Sequence, residues 1–539
     1  MNIFEFNSRR SSVYGLNGMV ASSQPLASSV GIDILRSGGN AASAAIAIAA
    51  ALNVTEPTST GIGGDVFVLY YSQEKKEVFA LNGSGRSPQS LSLERLKKEG
   101  LHELPTYHAY TITVPGACDA WFELNERFGN LPIEDLLYPA IQLATIGFPV
   151  SPITSYFWRI AAKKQLKNDF NGQELLIHGD GPQTGQIFKN PGLAKTLSLL
   201  AKNGRDEFYR GEIAAAMVDI IHQAGGCLSL KDLDNHHSDW VSPISVEFEN
   251  KRIWECPPNG QGLAALIGLN ILNNLNISGV SEEYLRLHYQ IEAMRLAFSD
   301  AWFFVSDPDF HSIPLEWLLS KNYAQDRSKL ISPDKINLNI QHGTPPSSSD
   351  TVYFCVVDKE GNACSFINSN YMGFGTGIVP SGYGFTLQNR GLNFSLTEGH
   401  PNQLEPNKRP YSTIIPAMVT NVEDNSLVGP FGVMGGFMQP QGHLQIAWNL
   451  FVDQNDPQTA LDRPRFCILP DSISNEIAFE EGFSASTLSK ITELGHNLKP
   501  DVGLNRTFFG RGQIILRNKD GILSAGSDPR ADGCAMTLL

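Results

Sequence analysis

Cysteine is scarce in this sequence, and what there is forms no pattern. Cys118, Cys227, Cys256, Cys355, Cys364, Cys467 and Cys534 are the only ones in 539 residues. No CxxC pair or Cys/His spacing suits zinc, and the count is odd. Scattered, apolar settings favour buried free thiols over a disulfide framework. Basic charge is also short: 41 Lys and Arg stand against 55 Asp and Glu, a net charge of −14. Cations this few and this dispersed give no footprint for nucleic acid or for an anionic membrane surface. No apolar run is long enough to span a bilayer, the longest being the short, alanine-rich stretch 41–54. Met1 to Met19 carries no apolar signal core. The expectation is a soluble, cytoplasmic protein with neither membrane nor nucleic-acid partner.

What the sequence does have is an ordinary globular composition, 42% hydrophobic and 18% charged, and one abrupt junction. Gly343-Thr344-Pro345-Pro346 and the serines 347–349 can neither extend a helix nor fill a core. At Thr351 they meet Val352-Tyr353-Phe354-Cys355-Val356-Val357, a β-branched and aromatic strand signal. Lys359-Glu360-Gly361-Asn362 reads as a hairpin turn, and Ala363–Ile367 as the return strand. A threonine thus opens a buried hairpin at the end of a polar tether, as an N-terminal nucleophile requires. Breaking the Asp350–Thr351 bond would give Thr351 an α-amino group with an ordinary pKa of about 8. That amine can accept the proton of the residue's own hydroxyl.

The rest of the chain supplies a scaffold. Residues 24–36 and 40–53 read as helices, the second capped by Asn40, followed by a strand over 66–71 that 78–81 can pair with. The turn Gly61-Ile62-Gly63-Gly64 lies between helix and strand, whereas a nucleotide loop lies between strand and helix. A close-packed core turn is therefore expected, without cofactor. Helices are expected near 118–128, within 190–225, and after a cap at Ser281, where Leu287, Ile291, Met294 and Phe298 form a core stripe. His236-His237 and Asp307-Pro308-Asp309-Phe310-His311 read as loops and not as metal ligands. Strands are expected at 385–387, 414–419, 431–434, 513–516 and 522–525, with a helix over 444–451.

Thr351–Asp358, Gly361-Asn362-Ala363, Phe374-Gly375-Thr376-Gly377-Ile378-Val379, Asn407-Lys408-Arg409-Pro410 and Gly435-Gly436 together resemble the γ-glutamyltransferase (glutathione hydrolase) family. So do Gly38-Gly39-Asn40-Ala41, Glu56-Pro57 and Gly61–Gly64 near the N-terminus. The resemblance implies an N-terminal-nucleophile hydrolase with a four-layer αββα sandwich, built as one interwoven unit. It implies self-cleavage between Asp350 and Thr351 into fragments 1–350 and 351–539. The fragments would stay together as a tight heterodimer, with a dimer of heterodimers allowed. By the same resemblance Ser369 supports the nucleophile, Gly435 and Gly436 form the oxyanion hole, and Ser412 and Thr413 hold a substrate carboxylate.

Several positions depart from the family. Ser84 takes the place of its carboxylate-binding arginine, which leaves Arg86 as the candidate for that role. Tyr353 stands for a histidine, Tyr371 for a substrate-touching asparagine, Arg390 for a glutamine. Asn393 replaces the aspartate that pairs with the glutamyl α-ammonium. The expected substrate is a small acidic amide, γ-glutamyl-type or of an oxamate or glutaryl kind. The expected pocket holds Arg86 and Arg390 and no acid. A non-catalytic scaffold is the other class of reading, disfavoured by the retained Thr351, Gly435-Gly436 and Ser412-Thr413.

Overall fold

The computed structural model describes residues 10–167, 170–275, 277–338, 351–469 and 476–539. Asp350 and the serine tether lie outside the described residues. Two seven-stranded sheets carry the fold, and their strands are β1 (Val13–Gly15), β2 (Gly18–Ser22), β3 (Asp65–Ser72), β4 (Glu77–Gly83), β5 (Asp239–Val241), β6 (Ile244–Phe248), β7 (Lys251–Glu255), β8 (Val352–Asp358), β9 (Ala363–Ser369), β10 (Ala417–Asn421), β11 (Leu427–Met434), β12 (Arg511–Arg517), β13 (Leu523–Ser527) and β14 (Cys534–Thr537). One sheet runs β14-β2-β8-β9-β3-β4-β5, the other β1-β13-β12-β11-β10-β7-β6. Neighbouring strands are antiparallel throughout both.

The period-2 pattern of β8 shows why there are four layers. Val352, Phe354 and Val356 face a core shared with α1 (Pro25–Arg36), α2 (Ala41–Thr55), α3 (Ala117–Phe128) and α4 (Ile133–Ile146). Tyr353, Cys355 and Val357 face the other sheet, against Met418, Met434 and Ile515. That sheet's far side packs Ile253, Val419 and Phe431 on α5 (Gly262–Asn273), α6 (Glu283–Phe304) and α7 (Met438–Ala447). A strand buried on both faces must be apolar at every position, which is the sequence signal at 352–357. The αββα expectation holds. Every residue of α2 is buried, as its alanines permit, and the Asn40 side chain accepts the Ser43 N–H at 3.0 Å as its cap.

Some local readings change. Residues 385–387 form no strand: their backbone bonds go to Thr376, Ile378 and, from Gln388, to the Gly63 carbonyl. The strand expected from 414 starts at Ala417, because Pro416 has no N–H and the Ile415 N–H goes to the Gln439 side chain at 2.9 Å. The N-cap position of α6 is Glu282 and not Ser281, without a side-chain cap, and α7 begins at Met438, six residues before expected. All seven cysteines are free thiols. No helix among the described residues is long and apolar enough to cross a membrane.

Candidate active site

Thr351 sits one residue ahead of β8, facing the last residue of β9 across the hairpin, whose register pairs Val352 with Asn368. Its Oγ1 lies 3.0 Å from Ser369 Oγ, and both residues are fully buried. Ser369 Oγ also accepts the Tyr371 N–H at 2.8 Å, which fixes the serine beside the nucleophile. Tyr371 adopts φ +75°, an uncommon conformation for an aromatic residue and one that turns its N–H back to Ser369. The Gly61–Gly64 turn lies directly behind. A Cβ at Gly64 would stand 2.3 Å from the Ser369 carbonyl, and one at Gly63 would stand 2.1 Å from the Thr386 carbonyl. Close backbone approach accounts for those glycines.

Gly435 and Gly436 follow the end of β11, with φ +132° and +57°. Their carbonyls are taken by Met438 N–H and Gln439 N–H, and Gln261 Nε2 donates to the Gly436 carbonyl at 2.8 Å. Neither glycine N–H donates in the hydrogen bonds of the described residues. Two free N–H groups on a turn that opens α7 suit a developing oxyanion. Tyr353, two residues after Thr351, packs on the strand that leads into this turn: its ring lies against Gly432, where a Cβ would come within 2.6 Å. The first residues of β8 therefore meet the last residues of β11 across the sheets. Arg511, paired with Met434 in the ladder, binds the Glu56 carboxyl at 3.0 Å and so ties the turn to the end of α2. Burial raises the Glu56 pKa to about 7 despite that arginine.

Next to the hydroxyl pair is a buried cation. Arg390, fully enclosed, donates from Nη1 to Thr413 Oγ1 at 2.7 Å. Its guanidinium lies 4.8 Å from the centre of the Tyr371 ring. Its Nε forms an ion pair with Asp65 Oδ2 at 3.4 Å, and Nη2 has no hydrogen-bond partner among the described residues. Ser412 Oγ, beside Thr413, is likewise unpartnered. Asn393 spends its Nδ2 on the Tyr411 carbonyl at 3.0 Å. Buried donors without acceptors are costly, and a set such as this can receive an anion such as a carboxylate.

Asp65 changes the expected charge of this pocket. It opens β3 opposite Ser369, and its Oδ1 accepts the Gly85 N–H and the Gln388 side chain, each at 2.9 Å. Burial pushes its carboxyl up to about 6 against the pull of Arg390. The acid-free pocket of the sequence reading is therefore corrected. Burial in turn lowers the Arg390 pKa, which Asp65 opposes.

A family model described as gamma-glutamyltranspeptidase matches residues 27–538. The chain belongs to the γ-glutamyltranspeptidase family. It is 36% identical over 533 residues to a glutathione hydrolase-like proenzyme of Bacillus subtilis, covering 98% of this chain and 99% of that one. It is 30% identical to the oxamate amidohydrolase proenzyme of Klebsiella pneumoniae, covering 97% and 99%. The crystal structure of a cephalosporin acylase from Bacillus halodurans superposes with a TM-score of 0.91 at 42% identity, over 99% and 98% of the two chains. The chain is accordingly an enzyme of the hydrolase and acyltransferase type that γ-glutamyltranspeptidases represent, in an N-terminal-nucleophile hydrolase fold.

Within this γ-glutamyltranspeptidase fold, Thr351, Ser369, Tyr371, Arg390, Asn393, Ser412 and Thr413 form one connected set, which Gln261 joins to the Gly435-Gly436 turn by donating from Nε2 to the Thr413 and Gly436 carbonyls. Arg86 does not join them. It pairs with Asp239 at 3.4 Å and Asp309 at 3.6 Å, and lines a separate surface groove of about 850 Å³ with Lys231, His237 and Phe310. Ser84 is buried against Asn82 and Asn259, its carbonyl held by Arg409 Nε at 2.9 Å. Asp65 and Gln261 were missed by sequence reasoning. The only hint of Asp65 was an acid at the first position of an otherwise apolar strand.

Proposed function

We propose that the protein is a self-processing N-terminal-threonine amidase for small amides of a carboxylic diacid, with the substrate's free carboxylate received by Arg390, Ser412 and Thr413. The observation that carries this is the buried Arg390 guanidinium with unused N–H groups beside unpartnered Ser412. Processing begins when Thr351 Oγ1 adds to the Asp350 carbonyl carbon. Breakage of the C–N bond leaves an ester on Oγ1 and a free Thr351 amine, and water then releases the Asp350 carboxylate. In turnover the amine takes the Oγ1 proton as Oγ1 attacks the substrate amide, and Gly435 and Gly436 receive the oxyanion. The ammonium returns the proton to the leaving amine, and water or an acceptor amine resolves the acyl-threonine.

Arg86 has no part in this scheme. Asn393 cannot replace a carboxylate towards a substrate α-ammonium, and Asp65 is committed to Arg390, Gln388 and Gly85. An acyl group without an α-amine is therefore favoured, as in oxamate-type or glutaryl amides. A γ-glutamyl substrate is the second reading, and Asp65 itself favours it by placing a carboxylate in the pocket.

Paired γ-glutamyl and glutaryl anilides decide between them. The unaltered enzyme is expected to prefer the glutaryl compound, by roughly 10- to 100-fold in kcat/KM for one missing charge-assisted bond. Arg390→Gln with Asn393→Asp moves the preference back towards γ-glutamyl. A tenfold preference of the unaltered enzyme for the γ-glutamyl anilide would establish the second reading instead.

A further inference from the structure

We infer that Asp65 is a specificity-determining positioning residue, which orients Arg390 and, by taking up a proton, lets the enclosed pocket accept an anionic acyl group. This rests on the reading above that Arg390 receives the substrate carboxylate. Three features of the geometry carry it. Asp65 Oδ1 is anchored by two donors, Gly85 N–H and Gln388 Nε2, while Oδ2 has no hydrogen-bond partner and faces Arg390 Nε. Arg390 is held on its other side by Thr413 and from below by the Tyr371 ring. Asp65 also lies across the ladder from Ser369, so nucleophile support and cation support are adjacent residues of neighbouring strands.

Among the described residues, the groups facing Asp65 are few. Arg390 is the charged one, on the 388–390 segment that also brings Gln388. The loop after β4 gives the Gly85 N–H, and β9 gives Ser369 and the Asn368 side chain, which donates to the Asp65 carbonyl. Burial raises the Asp65 pKa to about 6 against the opposing pull of Arg390. With Asp65 ionised, it and Arg390 cancel, and an incoming carboxylate leaves one uncompensated negative charge in an enclosed space. With Asp65 protonated, Arg390 and the ligand carboxylate balance, and the new Asp65 O–H can donate. Anion binding should therefore draw a proton onto Asp65 and strengthen as pH falls towards 6. Replacing the carboxyl by an amide fixes the neutral state at every pH.

Glutarate, the free acid of a glutaryl amide, is the probe, titrated calorimetrically into the processed enzyme. At about pH 6.5, where an ordinary α-amine is already protonated, heats in two buffers of different ionisation enthalpy should differ by an uptake approaching one proton. The dissociation constant should weaken by up to about tenfold per pH unit above that. Asp65→Asn should bind glutarate at about pH 7.5 as tightly as the unaltered enzyme does near 6, without uptake. Equal heats in the two buffers, or an Asp65→Asn protein that keeps the pH slope, overturns the proposal. If Asp65→Asn does not fold, the two-buffer measurement on the unaltered enzyme decides alone. If glutarate does not bind saturably at any pH, the carboxylate reading of Arg390 itself falls and takes this inference with it. That failure is distinct from binding without proton uptake.

Discussion

A Thr351→Ala protein should appear as a single uncut chain with no amidase activity, where the unaltered protein gives fragments 1–350 and 351–539. Thr351 Oγ1 has only Ser369 Oγ at hydrogen-bond distance in the described structure, and no other nucleophile shares its position at the head of β8. Alanine removes both the attacking atom for processing and the acceptor of the acyl group. The expected loss is at least about 10⁴-fold, as for removal of a nucleophile that works with its base as a unit. Thr351→Ser keeps the hydroxyl and should still cut, more slowly. Intact-mass analysis and an anilide assay on the same samples check this. An unaltered chain that stays whole and is nonetheless active would disprove the processing scheme.

Gly435→Ala should lower kcat by roughly 10²- to 10³-fold with little change in KM, the cost of losing one oxyanion donor. At φ +132° an alanine is strained, and its Cβ would stand 3.1 Å from Gly510 Cα. Relief of that strain must rotate the 435–436 turn, and with it the N–H groups proposed to receive the oxyanion. The carboxylate contacts proposed at Arg390, Ser412 and Thr413 lie on other segments, so substrate affinity should be largely spared. The check is steady-state kinetics on processed enzyme, with a melting curve to confirm folding. A kcat within threefold of the unaltered enzyme would move the oxyanion site elsewhere.

Thr351 stood out in the sequence as a candidate nucleophile because a polar run that cannot be buried meets a run that must be, and the boundary falls on a hydroxyl residue, which the structure places within 3.0 Å of Ser369 Oγ. The αββα arrangement was legible from the resemblance, and β8 alone shows in its uninterrupted apolar run why it is sandwiched. Arg86 shows the limit of such reading. Its place near a glycine-rich loop was visible, but the direction of its side chain was not. Asp239 and Asp309, distant in the chain, hold the guanidinium in ion pairs. Asp65 failed for the opposite reason. An acid at a strand end normally faces water, and only the fold shows that this one is enclosed with Arg390. Strands β2 and β14 were missed because five and four residues of mixed character leave almost no periodic signal.

The strand order of the nucleophile's sheet has a consequence for the life of the mature enzyme. Read across β14-β2-β8-β9-β3-β4-β5, ownership alternates: β14, β8 and β9 come from beyond residue 350, and β2, β3, β4 and β5 from before it. Once the bond is cut as proposed, the two pieces are laced through each other's hydrogen-bond ladders and do not merely rest against one another. Parting them would open ladder edges on both sides of β2 and between β9 and β3, which amounts to unfolding the sheet. Extreme dilution should therefore not reduce specific activity, and a fragment lost to proteolysis could not be replaced from a free pool. Each molecule would keep for life the partner it was translated with.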